Sequence, residues 1–326
     1  MKAVVLEDVC NLEDLKVSNI PIPKIKDGWV LVKVLGFGIN RSELILCESE
    51  ARENYINLPV VPGIECYGKV VDESNSRFQV DDHVVGLMGG MGRSFDGSYE
   101  EYVLIPEKNL FKIPKNLVEK LSAEEIAAIP ETFFTAYGSL FDCLNIKEDD
   151  SLLIRGATST VGIAAIQLAN KLGVTVIATT RTSKRIESLK EFGADYVFID
   201  DNDLSKNILS QFPEGVDKIL ELVGPLTMKD SFKVLKNQGI LCVTGILGGL
   251  EYIGQFDPIK DIPNNKYLCS FFSNYPSQEI ITDIYDFILE NNIRPVISDV
   301  FSLDEINKAL VISKKNNKLG KIVIKV

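Results

Sequence analysis

Histidine is almost missing from this chain: His83 is the one example in 326 residues. A Ser-His-Asp triad would have to use it, and a multi-histidine metal site is excluded. His83 follows Asp81 and Asp82 and leads into the apolar run VVGL, so it reads as an ordinary strand residue. The six cysteines (Cys10, Cys47, Cys66, Cys143, Cys242, Cys269) are scattered, with no C-x-x-C among them. They read as reduced, mostly buried thiols of a cytosolic protein, and give no support to a zinc site of closely spaced cysteines. No apolar run reaches the ~18 residues of a membrane span, and the longest, GILCVTGILGGL, is glycine-rich. Basic residues are outnumbered 35 to 46, giving a net charge of -11, so neither nucleic acid nor an anionic membrane is an expected partner. The start, MKAVVLEDVC, alternates into acidic residues and reads as a strand, not a signal peptide; the expected location is the cytoplasm. None of the ten tyrosines has lysine four places on, which removes the Y-x-x-x-K pair of a short-chain reductase.

What remains is a chain too long for one ordinary core, and two domains are expected. As far as about residue 118 the runs WVLVKVLGFGIN, GKVVDES, DDHVVGLM and GSYEEYVLIP are strand-like and bounded by turn residues, with no helix of any length between them. That rhythm suggests a small barrel or sandwich. Ser122, with Glu125 three places on, then forms a capping box that opens a helical stretch. From Ser151 strands (SLLIRG, VTVIATT, YVFID, VDKILELVG, GILCVTGIL) alternate with helices closed by Gly173, Gly193 and Gly239. Such alternation predicts a parallel sheet covered on both faces.

The first strand of that region runs into GATSTVGIAAIQLA. A dinucleotide turn normally places three glycines here, for the tight turn, the close approach of phosphate and the helix packing. Two of those positions are Ala157 and Ser159, and only Gly162 remains. Both replacements are small, and a phosphate would lie against the amides beginning at Ser159, at a helix N-terminus. Val161, Ala165, Leu168 and Leu172 form the expected buried stripe of that helix. After the second strand, where an NAD site usually has an acid, this chain reads TTRTSKR. Arg181, Lys184 and Arg185 suit a 2′-phosphate, so NADPH is the expected cofactor.

The two halves together resemble the medium-chain dehydrogenase/reductase superfamily, specifically its zinc-free NADPH:quinone oxidoreductase (zeta-crystallin-like) branch. GFGIN with RSEL, VPGIECYGKVV, VDDHVVGL, IPETFFTAYGSL and GATSTVGIAAIQLA carry the resemblance, in that order, over essentially the whole chain. It implies an α/β protein: a GroES-like β-barrel catalytic domain (1–120 and 291–326) and a Rossmann domain with a doubly wound parallel sheet (121–290). It also implies cofactor contacts at Asn40, Thr135, Thr160, Val161, Val223, Gly224, Thr244, Gly245 and Phe271, and a homodimer formed through the sheet edge at GILCVTGIL and KYLCSFFS. The zinc-ligand positions of the superfamily's alcohol dehydrogenases fall on Asn40 and Ile64, with Glu131 in the third region, so no metal is expected. The expected reaction is hydride transfer to a quinone or activated α,β-unsaturated carbonyl, with Asn40 as oxyanion donor and Tyr55 or Tyr137 as a further hydroxyl donor. The alternatives are a zinc-type alcohol dehydrogenase homologue and a catalytically idle NADPH-binding protein.

Overall fold

The computed structural model describes residues 1–250, 252–315 and 318–326. Its strands, in chain order, are β1 (Lys2–Val4), β2 (Val17–Asn19), β3 (Trp29–Gly38), β4 (Glu65–Asp72), β5 (His83–Leu87), β6 (Tyr102–Pro106) and β7 (Leu110–Lys112). Next come β8 (Ser151–Arg155), β9 (Thr175–Thr180), β10 (Tyr196–Ile199), β11 (Val216–Glu221), β12 (Leu235–Val243) and β13 (Tyr267–Ser270), then β14 (Ile297–Ser302) and β15 (Lys321–Lys325). The chain divides into two compact units, one of Met1–Phe134 with Ser273–Val326 and one of Thr135–Phe272. The expected boundaries were 120 and 291. The helix Gln278–Glu290 goes with the first unit because the Gln278 amide bonds both the N–H and the C=O of Lys112 on β7, each at 2.9 Å.

In the first unit, β3 is the hub. Ten residues long, it pairs antiparallel with β15, β4 and β6 over successive parts of its length. The sheet runs β14-β15-β3-β4-β5-β7, with β6 off that path. Alternation on β3 sends Val30, Val32 and Val34 inward, where Ile306, Leu310 and Ile324 from the C-terminal segment complete the core. A strand such as β3 buries its apolar face and leaves Lys33 outside, as a period of two demands. One short helix, Arg41–Glu48, interrupts the expected all-strand run, capped by Asn40 and Glu43 in a reciprocal box. His83 lies in β5 as expected, its Nδ1 2.6 Å from the Tyr67 hydroxyl.

The second unit is a six-stranded, wholly parallel sheet in the order β10-β9-β8-β11-β12-β13. Renumbered from its first strand, that order is 3-2-1-4-5-6, the doubly wound arrangement whose ligands lie beyond the C-terminal ends of the strands at the 1/4 switch point. Its central strands are buried on both faces, which is why SLLIR and TVIATT are near-continuous apolar or small runs. Ser122 and Glu125, in the first unit, form the expected capping box.

Two local readings change. Gly173 and Gly193 do follow helices with positive φ, but Gly239 lies inside β12. There the left-handed residue is Gln238, and the strand begins at Leu235. The helix Thr160–Lys171 buries a wider arc than the expected stripe: Ile163, Ala164 and Ile166 are covered as well, whereas Val161 and Leu172 are half-buried. Its small side chains let it sit deep against its surroundings.

Candidate active site: a nucleotide turn and a buried charge cluster

Each unit carries one candidate site. In the second unit it begins where β8 ends. Gly156 takes φ +85°, so the residue needing left-handed backbone is the one before Ala157. Ala157 and Ser159 therefore cost the turn nothing conformationally. Ser159 is the N-cap of the helix Thr160–Lys171, its Oγ accepting from the Gly162 N–H at 3.1 Å and donating to the Gly156 carbonyl at 2.9 Å. Thr160 and Val161 follow it at the open end of the helix, where first-turn amides have no intrahelical acceptor. Gly162 is needed for packing: a Cβ there would lie 2.7 Å from the Ala157 Cα. Gly162→Ala is accordingly expected to destabilise the unit by about 1–3 kcal/mol and weaken dinucleotide binding, checked by thermal melts with and without cofactor.

The other expected contacts gather at the same edge of the sheet, because all C-terminal ends of a parallel sheet lie together. Arg181, Lys184 and Arg185 follow β9, Val223 and Gly224 follow β11, Thr244 and Gly245 follow β12, and Phe271 follows β13. Thr135 joins them through Ser139, whose Oγ is 2.7 Å from the Thr135 carbonyl and 2.9 Å from Thr244 Oγ1.

Two charged residues that fix this edge were missed in the sequence. Arg155, the last residue of β8, is buried and grips Asp200 bidentately at 2.8 and 3.0 Å, with Asp230 at 3.0 Å. Glu221, the last of β11, accepts from the Val223 and Gly224 amides at 2.9 and 3.0 Å and from the Thr227 and Ser231 hydroxyls. Burial pushes its carboxyl above the usual range while those donors pull the other way. A charged residue ending an apolar strand is the signal that was there to be read.

In the first unit the cluster forms around Lys321, at the start of β15. Its side chain is 2% exposed, and its ammonium lies 2.8 Å from Glu65 Oε1, 3.0 Å from Thr132 Oγ1 and against Asn40 Oδ1. Glu65, fully buried, also accepts from the Glu131 amide at 2.7 Å and from Asn40 Nδ2 at 2.8 Å. Glu43, the capping-box partner of Asn40, accepts from the Asn40 amide at 2.9 Å and the Ile64 amide at 3.2 Å. Burial raises its carboxyl pKa, opposed by Lys321. The second Asn40 Nδ2 hydrogen makes only long contacts, 3.3 Å to Glu43 Oε1 and 3.5 Å to the Gly38 carbonyl.

Tyr55 belongs to a different network of this unit, one that Arg93 ties to the Ser42 hydroxyl at 2.8 Å. Tyr55 is 59% exposed, and its hydroxyl donates to Glu50 Oε1 at 2.9 Å. Glu50 is itself held by Arg93 at 2.7 and 2.9 Å. Burial of the hydroxyl, then the Glu50 carboxylate, push the Tyr55 pKa up to about 12. Tyr137, in the second unit, stacks on Phe141 with ring centroids 4.2 Å apart.

A doubly wound sheet with a small-residue turn on its first strand is the class of fold that seats a dinucleotide, and here it shares a chain with a mostly antiparallel unit. The comparisons agree. Residues 26–115 match the family model described as alcohol dehydrogenase GroES-like domain, and 160–290 the one described as zinc-binding dehydrogenase. The quinone oxidoreductase of Homo sapiens is 30% identical over 77% of this chain and 75% of its own length. The synaptic vesicle membrane protein VAT-1 homolog of Danio rerio is 28% identical over 93% of this chain, which spans 65% of that relative's length. A solved NAD-dependent alcohol dehydrogenase superposes with a TM-score of 0.87 over the whole of both chains, at 27% identity. The chain belongs to the medium-chain dehydrogenase/reductase superfamily, in the branch that holds the quinone oxidoreductases and VAT-1, and is an oxidoreductase of that family. No described helix is long and apolar enough to cross a membrane.

Members of this family use a nicotinamide dinucleotide, and the second unit fits one: the left-handed Gly156 makes the turn, Gly162 lets the helix pack closely on Ala157, and the helix end presents its first-turn amides. A catalytic zinc, which the second family description implies, does not fit the first unit. Ile64 carries no donor atom, and the buried carboxylate Glu65 already faces the Lys321 ammonium.

Proposed function

We propose that the chain is an NADPH-dependent oxidoreductase that transfers a hydride to a quinone or an activated α,β-unsaturated carbonyl without zinc. The observation that carries this reading is the pairing of Lys321 with Glu65 beside Asn40 and Ile64, which leaves no set of ligands there, among the described residues, for a carbonyl-polarising metal. A conjugated acceptor needs such polarisation least, because its own π-system spreads the charge that follows hydride attack. Bound NADPH supplies the hydride. Asn40 is the proposed oxyanion donor and a proposed cofactor contact. Of its two Nδ2 hydrogens, one has only the long 3.3 and 3.5 Å contacts, so an acceptor placed along it would bond it more strongly. Glu65 and Lys321 hold the rest of that amide in place. Tyr55 is the proposed further hydroxyl; with its pKa pushed to about 12 it keeps its proton at neutral pH.

Arg181 and Lys184 are exposed after β9, and with Arg185 are the proposed 2′-phosphate contacts. Asp200, whose amide bonds the Thr180 carbonyl at the end of β9, has its carboxylate taken by Arg155. NADPH is therefore expected to bind more tightly than NADH by a factor of roughly 10 to 100, and Arg181→Ala to erase most of that margin. Fluorescence titrations with both cofactors measure it, and equal affinities in the wild type would count against the proposal.

The test of the reaction is steady-state NADPH oxidation with a panel of quinones and enones, with and without a chelator. Turnover that survives chelation supports this reading. Loss to chelator favours the zinc-type alternative, and tight NADPH binding without turnover favours an idle binding protein. A homodimer through the β13 edge is part of the proposal, supported by Tyr267 and Phe272 there, 53% and 78% exposed.

A further inference from the structure

The fold gathers three of the scattered cysteines. Cys242 on β12 and Cys269 on β13 are direct register partners in adjacent parallel strands, so their side chains leave the sheet on the same face. Cys143 ends the π-helical turn Gly138–Cys143, a widened turn of a kind that often re-aims side chains at functional sites. Here it brings the Cys143 thiol against β13, where Cys143 Sγ donates to the Ser270 carbonyl at 3.4 Å. Cys269 Sγ answers with a 3.6 Å contact to the Cys143 carbonyl. The three sulfurs lie within 4.8 Å of one another, and among the described residues they are the one group of three or more metal-ligating side chains so placed.

We infer that Cys143, Cys242 and Cys269 form a soft-metal site that takes a three-coordinate Cu(I) ion. Metal–thiolate bonds of about 2.3 Å put three sulfurs in a plane around one ion roughly 4 Å apart, so the observed cluster needs to contract only slightly. Adjacent strands also put Cys242 and Cys269 within the reach of a disulfide, so the site belongs to the reduced chain. The ligand set is all sulfur, which selects thiophilic ions over magnesium, calcium or manganese. Zinc prefers a fourth ligand, and no carboxylate or imidazole among the described residues joins this group. Cys242, being buried, anchors the site, while half-buried Cys143 and Cys269 give it an entrance. The site adjoins the proposed cofactor edge, since Cys242 Sγ lies 3.5 Å from Thr244 Oγ1, but metal binding there does not depend on the hydride chemistry proposed above.

The test is an anaerobic titration of the reduced, metal-free full chain with Cu(I) in competition with bicinchoninate. The expected result is one Cu(I) drawn from the chelator per chain. Cys143→Ser, Cys242→Ser and Cys269→Ser should each weaken binding by more than the roughly 10–100-fold that losing an outer-shell partner costs. Cys10→Ser and Cys66→Ser should leave it unchanged. In the unmutated protein, bound Cu(I) should protect Cys143 and Cys269 from alkylation, read by mass spectrometry, which needs no variant to fold. A parallel Zn(II) titration should show weaker binding. No withdrawal of Cu(I), equal withdrawal by the triple serine variant, no protection of the two thiols, or tighter binding of Zn(II) would each overturn the assignment.

Discussion

Lys321→Met is expected to destabilise the first unit by about 3–5 kcal/mol, the usual cost of stripping one partner from a buried ion pair. The reasoning turns on what is left behind. Glu65 has no exposed surface, and Glu43 is enclosed with it. Lys321 lies 2.8 Å from Glu65 and also satisfies Asn40 and Thr132. Without the ammonium, two carboxylates share one dry enclosure, and at least one must take up a proton or admit water. The Lys321→Met/Glu65→Gln double variant removes charge from both sides and should recover most of the loss, since replacing a buried pair by neutral groups is often close to neutral. Denaturant titrations of the wild type, both single variants and the double variant form the cycle. A single variant within 1 kcal/mol of wild type would mean that the pair is not holding the unit together, and with it the argument that Asn40 is held in place.

That cluster also shows where the sequence could and could not be read. Asn40, Glu43 and Glu65 stand in recognisable segments, but Lys321 lies at the far end of the chain in LGKIVIKV, where a lysine at a strand start looks like an edge residue. Its inward position depends on β15 pairing with β3, a long-range event that local patterning does not encode. The parallel sheet was legible because burial on both faces forces apolar runs of strand length, separated by helices. The nucleotide turn was legible too, although the glycine that does the conformational work, Gly156, stood one place before the motif frame. Gly239 misled for the opposite reason. A glycine after a helical pattern suggests a cap, yet the helix had already ended and Gln238 took the left-handed backbone. The cysteines were invisible as a group because Cys242 and Cys269 meet only through strand register, and Cys143 only through a π-turn.

Glu100→Gln is expected to stabilise the protein, and to do so more as pH rises. GSYEEYVLIP puts two acids side by side, and alternation turns one of them inward. Glu101 bonds the Lys2 amide at the surface, whereas Glu100 is 1% exposed and neither of its carboxyl oxygens has a hydrogen-bond partner among the described residues. Burial, with Asp96 adding to it, pushes its pKa up from 4.5 to about 9, against the pull of the N-terminal ammonium. Folded Glu100 therefore stays protonated at neutral pH, while the same side chain in the unfolded chain ionises above about 4.5. The unfolded state then binds fewer protons than the folded one, so this residue's contribution is fully present below pH 4.5 and is lost as pH rises towards 9. The loss approaches about 1.4 kcal/mol per pH unit in that window. Glutamine keeps the shape without the proton linkage. The stability difference between variant and wild type should thus be about 1 kcal/mol at pH 5 and on the order of 4–5 kcal/mol in favour of the variant at pH 8. Every other titrating group is common to the two proteins and cancels in that difference. Denaturant midpoints measured across this range decide the matter: a difference that stays flat with pH means that Glu100 ionises in place and has found a partner, and that it is not a neutral acid sealed in the core.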